Sequence, residues 1–474
     1  MKQTFARRVV VFGLLATMAL TGQSCRKGGS LDAQRAYQNI TLQYWTVFNS
    51  PDDFQKIASD YQALHPNIRV EVKKFRFDEY EDKLLNALAE DRGPDIFSVH
   101  NTQIPEYRTK LLPLPETTTL AQQVVTGSLK KEVSTELVTT RSLNEFDVRS
   151  QFVEQVYNDV YLPQLTLDSE QKPVLGAKAV YGLPLAMDTL VLYYNRDLLD
   201  NAGIAQPART WNEFQEQVGR IARFDSKGNI LVAAAPLGTA DNTPRSVDIL
   251  ALLMMQNGSD MVNADGEVDF HRIPDSLRGQ RSAIPGEEAL QFYTGFANAN
   301  QRSYTWNDKQ IDGFEAFLQG KAAYFFGYAY HLDEIRALAP KLNLGVANMP
   351  QIQGNKEIYF ANYWVESVSR KTAYPDASWD FIQFLTSAAE SQKYLESAKK
   401  PTARRDLIQP QLDNPDLVIF ASQVLQSRSW YNGQQAAAAE SIMKQLIRDA
   451  LAGVDEYDKL LQLAAERVQQ TYRF

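Results

Sequence analysis

An alternation of strand and helix patterns between residues 40 and 99 narrows the fold more than any other feature of the chain. Residues 40–45 alternate as a strand, and Ser50 followed by Pro51 is an N-cap with a first-turn proline. Phe54, Ile57, Tyr61 and Leu64 then share one helical face until His65-Pro66-Asn67 stops it. Residues 68–75 predict a second strand, 80–89 a second helix, and 94–99 a short third strand after Gly93. Strand, helix, strand, helix, strand requires right-handed crossovers and therefore a parallel sheet of an α/β fold. Ligands of such sheets bind beyond the carboxyl ends of the strands, which nominates residues 45–49 and 98–102.

A second organising stretch runs from Tyr181 to Leu199. The β-branched and aromatic run over 189–194 predicts a strand covered on both faces, and Asn195 can cap the helix that follows. Pro184 and an isolated carboxylate, Asp188, stand just before it. Between the two stretches, residues 116–176 are polar, with one helix expected near 144–160. Beyond them, Thr210 and Glu213 have capping-box spacing, and Asp265-Gly266 marks a hairpin turn. Buried strands are expected over 322–326, 344–349 and 364–368. Trp379, Ile382 and Leu385 mark an inward helix face, and the tail is helical from 434 to 470 with a break near Gly453.

The formal charge is −8, and Lys2, Arg7 and Arg8 leave −11 on the remainder once residues 1–25 are set aside. An acidic body argues against nucleic acid and against adsorption to an anionic membrane surface. The basic start, the apolar run from Val9 to Leu20 and the small residues before Cys25 have the layout of an export signal, too short to span a bilayer as a mature helix. Cys25 is the only cysteine, so no intrachain disulfide and no thiol metal cluster can form. Its position resembles the acceptor of a bacterial lipoprotein signal, with Gly22 where that motif usually has leucine. The resemblance implies a lipidated Cys25 and a tether over 26–38; simple secretion is the alternative.

No nucleophile elbow, phosphate loop or dinucleotide fingerprint occurs, and the four histidines are scattered singly, so nothing asks for a catalytic residue, a metal or a cofactor. A glycosidase needs two carboxylates facing one bond across a cleft, which one sequence neither shows nor excludes. What stands out instead are aromatics at strand exits and loops: Trp45, Phe48, Tyr328, Tyr330, Tyr363, Trp364, Trp430 and Tyr431. Singly, each reads as core packing; together they suit a ligand with apolar faces and polar edges, as sugars have.

Tyr44-Trp45, Gly93-Pro-Asp-Ile-Phe97, Tyr181-Gly-Leu-Pro-Leu-Ala-Met-Asp-Thr-Leu190 with Tyr193-Tyr-Asn-Arg-Asp197, Thr210-Trp-Asn-Glu-Phe214, Gly320-Lys-Ala-Ala323 and residues 379–387 together resemble the bacterial extracellular solute-binding proteins of ABC importers, in the family 1 group that includes maltose- and other sugar-binding proteins. The resemblance implies the type II periplasmic-binding-protein fold: two α/β lobes joined by hinge crossings, with the ligand between them. It implies one lobe from 38–185 plus 347–395, and a second from 196–345 plus 396–474 with the C-terminal helices. Residues 185–188 would be the first crossing, and the chain would return near 346–350. The family's cleft positions fall on Trp45, Asn49, Asn101, Asp188, Tyr328, Trp364, Arg404 and Trp430. Asp188 has two candidate roles, ligand acceptor or hinge brace. The implied partners are a small solute, foremost a carbohydrate, and the membrane subunits of an ABC permease. A monomer outside the cytoplasm, held to the membrane only by its lipid, completes the picture. A secreted glycosidase, a structural envelope lipoprotein, or a receptor for a peptide, polyamine or phosphorylated polyol remain open, because fold does not fix ligand.

Overall fold

A computed structural model describes residues 30–126, 132–167 and 173–473. The expected export signal and Cys25 lie outside the described residues. The described residues fall into two units, one within 30–38 and 120–138, the other within 39–119 and 139–473. The described part of the first holds a short helix, Leu31–Ala36, whose N-cap Ser30 accepts from the Ala33 N–H at 3.1 Å. It also holds most of two paired strands, Thr117–Thr126 and Glu132–Arg141.

The second unit is built on two larger sheets. In the first, the strand order is Ile68–Lys74, Ile40–Thr46, Ile96–His100, Trp364–Ser369, Leu111–Leu112, with Leu183–Pro184 also paired to Trp364–Ser369. The three N-terminal strands are parallel, Ile40 opposite Ile68 and Tyr44 opposite Ile96, as the alternation of elements requires. Trp364–Ser369 closes on them antiparallel, from far along the chain. Helix Pro51–Leu64 buries Phe54, Ile57 and Tyr61, whereas Leu64, expected on the same face, is 60% exposed. His65, one residue on, takes the inward place, its ring tilted against that of Tyr61 with 4.5 Å between centroids.

In the second sheet Val191–Asn195 is the middle strand, antiparallel to Tyr324–Gly327 on one side and to Leu344–Ala347 on the other. Asn195 caps the next helix as expected, its Oδ1 accepting from the N–H groups of Asp197 and Leu198 at 3.0 and 3.3 Å. The core beside this sheet is large. Helix Ser246–Gln256, for which the sequence reading made no prediction, is apolar nearly all round and correspondingly buried. Met443, Leu446 and Ile447 of helix Ala436–Ala452 and Leu460, Leu461 and Val468 of helix Tyr457–Gln470 belong to the same core.

The run expected as one strand over 189–194 is divided, and the division joins the sheets. Asp188–Thr189 pairs antiparallel with Tyr359–Asn362, which pairs in parallel with Ser427–Arg428. These three strands form a small sheet of their own, and through it the chain passes from one lobe to the other. The return lies at residues 359–364 rather than near 346–350. Met349 belongs to the second lobe's core, and Gln256 Nε2 donates to the carbonyls of Pro350 and Ile358 at 3.1 and 2.9 Å, holding that segment in place.

Residues 116–176 also differ from expectation: among the described residues they hold two strand pairs, the second pairing Tyr161–Leu167 with Pro173–Val180, and two short helices rather than one. The break falls at Phe152 and Val153, where the backbone turns extended. Phe152 bridges to Arg404, and the Val153 N–H donates to the Ala403 carbonyl at 3.1 Å. A tertiary pairing thus stops a helix that the local pattern would continue. Residues 402–404 therefore pack with the first lobe, not, as expected, with the second.

Arg404 is the fastener of that junction. Its guanidinium lies over the Phe152 ring at 5.2 Å and donates to Asp406 at 3.0 and 2.9 Å, to Gln151 Oε1 at 3.1 Å and to the Thr386 carbonyl at 2.8 Å. Arg404→Ala leaves a buried carbonyl and a carboxylate without their donor, so a loss of about 2–4 kcal/mol in stability is expected. Urea unfolding checks it, with a lowered midpoint at unchanged slope.

Candidate binding cleft

The two lobes and the crossings enclose a cavity of about 870 Å³, within the range of small-molecule sites. The loop after Ile40–Thr46 brings Phe48 and Asn49 to it, and helix Phe77–Ala89 brings Phe77, Tyr80 and Glu81. Strand Ile96–His100 adds Ser98 and His100, both at the carboxyl end where a parallel sheet exposes its ligand positions. The crossings add Asp188, Asn362 and Trp364, and the second lobe adds Arg245, Asp248, Tyr330, Trp430 and Glu440.

Aromatic rings dominate one wall. Trp364 meets Phe48 at 5.7 Å, Tyr80 at 6.1 Å and Phe77 at 6.4 Å, all edge-on. Phe48, from the first lobe, stacks on Tyr330, from the second, with 6.1 Å between centroids and 20° between planes. Phe77 is 66% exposed, a large apolar ring left open beside the cavity.

The floor is polar and buried. Glu366 accepts from Ser98 Oγ at 2.7 Å and from Asn49 Nδ2 at 3.3 Å, and burial pushes its carboxyl up to about 7 against those stabilising donors. Lys400 donates to Asn49 Oδ1 at 3.0 Å and to the Phe48 carbonyl at 3.2 Å; burial lowers its ammonium to about 8, opposed by the nearby Asp188, Asp53 and Glu366 carboxylates. Asp188 is also raised to about 7 by burial, opposed by its backbone donors. Both its oxygens accept from the Ala329 N–H, at 2.8 and 2.9 Å, and Oδ1 accepts from its neighbour Thr189 at 2.9 Å. The carboxylate thus ties a crossing to the second lobe at the start of helix Tyr330–Leu338, which is the geometry of a brace. His100 bridges Thr102 Oγ1 and Asn362 Oδ1, each at 2.7 Å, and burial lowers its pKa to about 4, so the ring is neutral at pH 7.

Of the positions nominated from the sequence, Asn49, Asp188, Trp364 and Trp430 line the cavity together. Trp45, Asn101, Tyr328 and Arg404 are not part of its wall. Strand alternation explains Trp45: Tyr44 and Thr46 point to the buried face, so Trp45 points to the other, where its ring lies 4.5 Å from Phe75. Asn101 is buried one layer behind, donating to Asp159 Oδ2 and Ser429 Oγ, both at 3.0 Å. Tyr328 is covered, its hydroxyl donating to Asp248 Oδ2 at 2.6 Å beneath the Arg245 guanidinium. Arg404 is the fastener described above. The sequence reading missed Phe77, Arg245, Asp248, Glu366 and Lys400. Phe77 follows a strand end in the parallel unit and could have been found; Glu366 and Lys400 depend on contacts more than 250 positions apart, such as Ser98 with Glu366, separated by 268.

The family described as bacterial extracellular solute-binding protein matches residues 48–392, and the chain belongs to it. The diacetylchitobiose binding protein DasA of Streptomyces coelicolor is 26% identical over 355 residues, 74% of this chain and 70% of that protein. The maltodextrin-binding protein MdxE of Bacillus subtilis is 26% identical over 247 residues, half of this chain and 53% of that protein. Among solved structures, the GacH receptor of Streptomyces glaucescens, determined unliganded and with acarbose, superposes with a TM-score of 0.65 at 18% identity, over 92% of this chain and all of that one. The type II two-lobe fold with a cleft between lobes is therefore established. Among the described residues, no helix is long and apolar enough to cross a membrane.

The raised pKa of Glu366 sets a pH dependence. The folded chain keeps this proton at pH values where an unfolded chain has released it. Its contribution to stability is therefore complete near pH 4 and falls away as pH rises to about 7. Glu366→Gln is expected to match the parent chain at pH 4–5 and to exceed it by about 2–3 kcal/mol at pH 8. Urea unfolding at the two pH values tests this; a stability difference independent of pH would show that Glu366 ionises like an ordinary glutamate.

Proposed function

We propose that the protein is an extracytoplasmic receptor that captures a sugar or oligosaccharide between its lobes and presents it, closed, to the membrane subunits of an ABC permease. The observation that carries the reading is the aromatic-walled, polar-floored cavity of about 870 Å³, to which both lobes and the crossings contribute. Rings for sugar faces and hydrogen-bonding groups for hydroxyl edges are what such a ligand needs. The names of DasA and MdxE, with the acarbose complex of GacH, support the carbohydrate class.

Closure proceeds by rotation about the crossings, with ligand contacts on the second lobe stabilising the closed form. Moving an open:closed ratio from 99:1 to 1:99 takes about 5.5 kcal/mol of differential affinity. Two or three aromatic stacks at about 0.5–1.5 kcal/mol each, with one or two charge-assisted hydrogen bonds at roughly 1.5–3 each, reach that scale. Asn49, Trp364 and Trp430 are the proposed binding residues from the sequence, joined by Phe48, Phe77 and Tyr330, and Asp188 takes the second of its two candidate roles, the hinge brace. No covalent chemistry takes part. Asp188 and Glu366, the cavity carboxyls raised to about 7, are held by the chain's own donors rather than offered to a bond under attack. Cys25 is lipidated, residues 26–38 tether the receptor to the outer face of the membrane, and it works as a monomer.

Calorimetry against a panel of mono- and oligosaccharides is expected to find tight binding, with no reducing ends released on prolonged incubation. Trp364→Ala is expected to weaken it about tenfold or more, roughly 1.4 kcal/mol. A panel without a single binder, or release of product sugar, would overturn the reading.

A further inference from the structure

Arg245 holds a backbone conformation that arginine rarely adopts. Its φ of 60° and ψ of 29° are left-handed, immediately before helix Ser246–Gln256. Glycine or asparagine would take this position with less strain. The turn is fixed on both sides: the Ser246 N–H donates to the Thr243 carbonyl at 3.2 Å, and the Ser246 hydroxyl donates to the Ala240 carbonyl at 2.8 Å. The helix behind is buried almost all round and so cannot rotate to relieve it. Left-handed strain at a non-glycine residue persists where the surroundings over-determine it, and it gathers at ligand sites.

The side chain shows what the strained position delivers. The Arg245 guanidinium lies over the Tyr328 ring, 5.2 Å from its centroid, and its Nε donates to Asp248 Oδ2 at 2.6 Å, with Nη2 paired to the same oxygen. The Tyr328 hydroxyl also donates to Oδ2, at 2.6 Å. Two hydrogen bonds and an ion-pair contact thus converge on one carboxylate oxygen and fix the pair's orientation. Asp248 Oδ1 and Arg245 Nη1 have no hydrogen-bond partner within the chain among the described residues, and both side chains line the cavity, 14% and 34% exposed.

We infer that Arg245 and Asp248 form a fixed donor–acceptor pair that reads ring hydroxyls of the ligand and confines the receptor to neutral polyhydroxylated solutes. The inference rests on the carbohydrate reading above. A hydroxyl is donor and acceptor at once: it can donate to Oδ1 while accepting from Nη1, completing the one unfilled half of each partner. The opposite charges of the pair cancel, leaving no net attraction for a phosphate or uronate. Such an anion would meet Lys399 and Lys400 on the same walls, but also the more numerous acids Asp78, Glu81, Asp82, Asp333 and Glu440. Mere helix-start packing would not require an arginine at a left-handed residue, nor leave an ion pair half-satisfied at a cavity wall.

The test is calorimetry with maltotriose, N,N′-diacetylchitobiose, glucose 6-phosphate and glucuronic acid on the full chain and on Arg245→Gly, Arg245→Lys and Asp248→Asn. For whichever neutral saccharide the parent chain binds, each variant is expected to lose tenfold or more. In Arg245→Gly the relieved backbone strain partly offsets the cation lost beside Asp248, so the variant is expected to stay folded while the reading group is gone. Arg245→Lys keeps the charge without the planar fork, and supplies the same readout if the glycine variant folds poorly. A monodeoxy analogue lacking the hydroxyl that is read should bind the parent chain at least tenfold more weakly than its parent sugar, and the variants with no such difference. Variants that bind within threefold of the parent chain, or a parent chain that prefers the phosphorylated or acidic sugar, overturn the pair's role while leaving the receptor reading intact. A parent chain that binds no saccharide overturns both.

Discussion

Three short strands from distant parts of the chain, Asp188–Thr189, Tyr359–Asn362 and Ser427–Arg428, hydrogen-bond to one another where the lobes meet. A peptide passing between two lobes would otherwise carry unpaired N–H and C=O groups through a partly dry region, at a cost comparable to a lost hydrogen bond each. Pairing the crossings with each other removes that cost and couples them mechanically. Each pairing spans only two residue pairs in register, so the junction is thin beside the two larger sheets. A thin junction between rigid bodies is where a change of a few backbone angles turns into rotation of whole lobes. Asp188 adds a grip at its edge by accepting the Ala329 N–H with both oxygens.

The cleft is electrostatically costly, and its costs are distributed with some order. Asp188, Glu366 and Lys400 are all pushed toward neutrality by burial, and His100 is held neutral. Each has partners from the chain, so the burden is desolvation rather than unmet hydrogen bonds. The Arg245–Asp248 pair departs from this pattern, because one nitrogen and one oxygen of it have no hydrogen-bond partner among the described residues. Preorganised groups of this kind lose little entropy when they meet a ligand, which is why a strained and half-satisfied pair is better suited to recognition than a relaxed one.

Residues 40–100 were legible because their signals are local: periodicity, a proline at a helix start and breakers at the ends decide the elements without help from elsewhere. Asn195 as a cap and Trp364 beside a strand start were legible for the same reason. The split at Thr189, the break at Phe152 and the return at residue 359 were not, because each is decided by pairing with a segment far away in sequence. Trp45 shows the limit from another side. Its place after the first strand suggested a cleft residue, yet the period of two that identified the strand also turns this side chain away. Arg245 and Asp248 lay at the start of a helix whose apolar run carries no helical period to read, since it is buried almost all round.

The wait for Trp364–Ser369 has a consequence for how the molecule comes into being. The first sheet is complete only when that strand docks on Ile96–His100, and the junction only when residues 427–428 arrive. A chain appearing from its N-terminus therefore displays an open strand edge at Ile96–His100 through the appearance of more than half of its length, an invitation to pair with the wrong strand. Assembly dominated by such distant contacts is slow, and its half-made forms are prone to stick. The architecture favours a chain kept unstructured until its distant segments are present, because the first lobe waits for residues 364–369 and 402–404 and the second for the C-terminal helices.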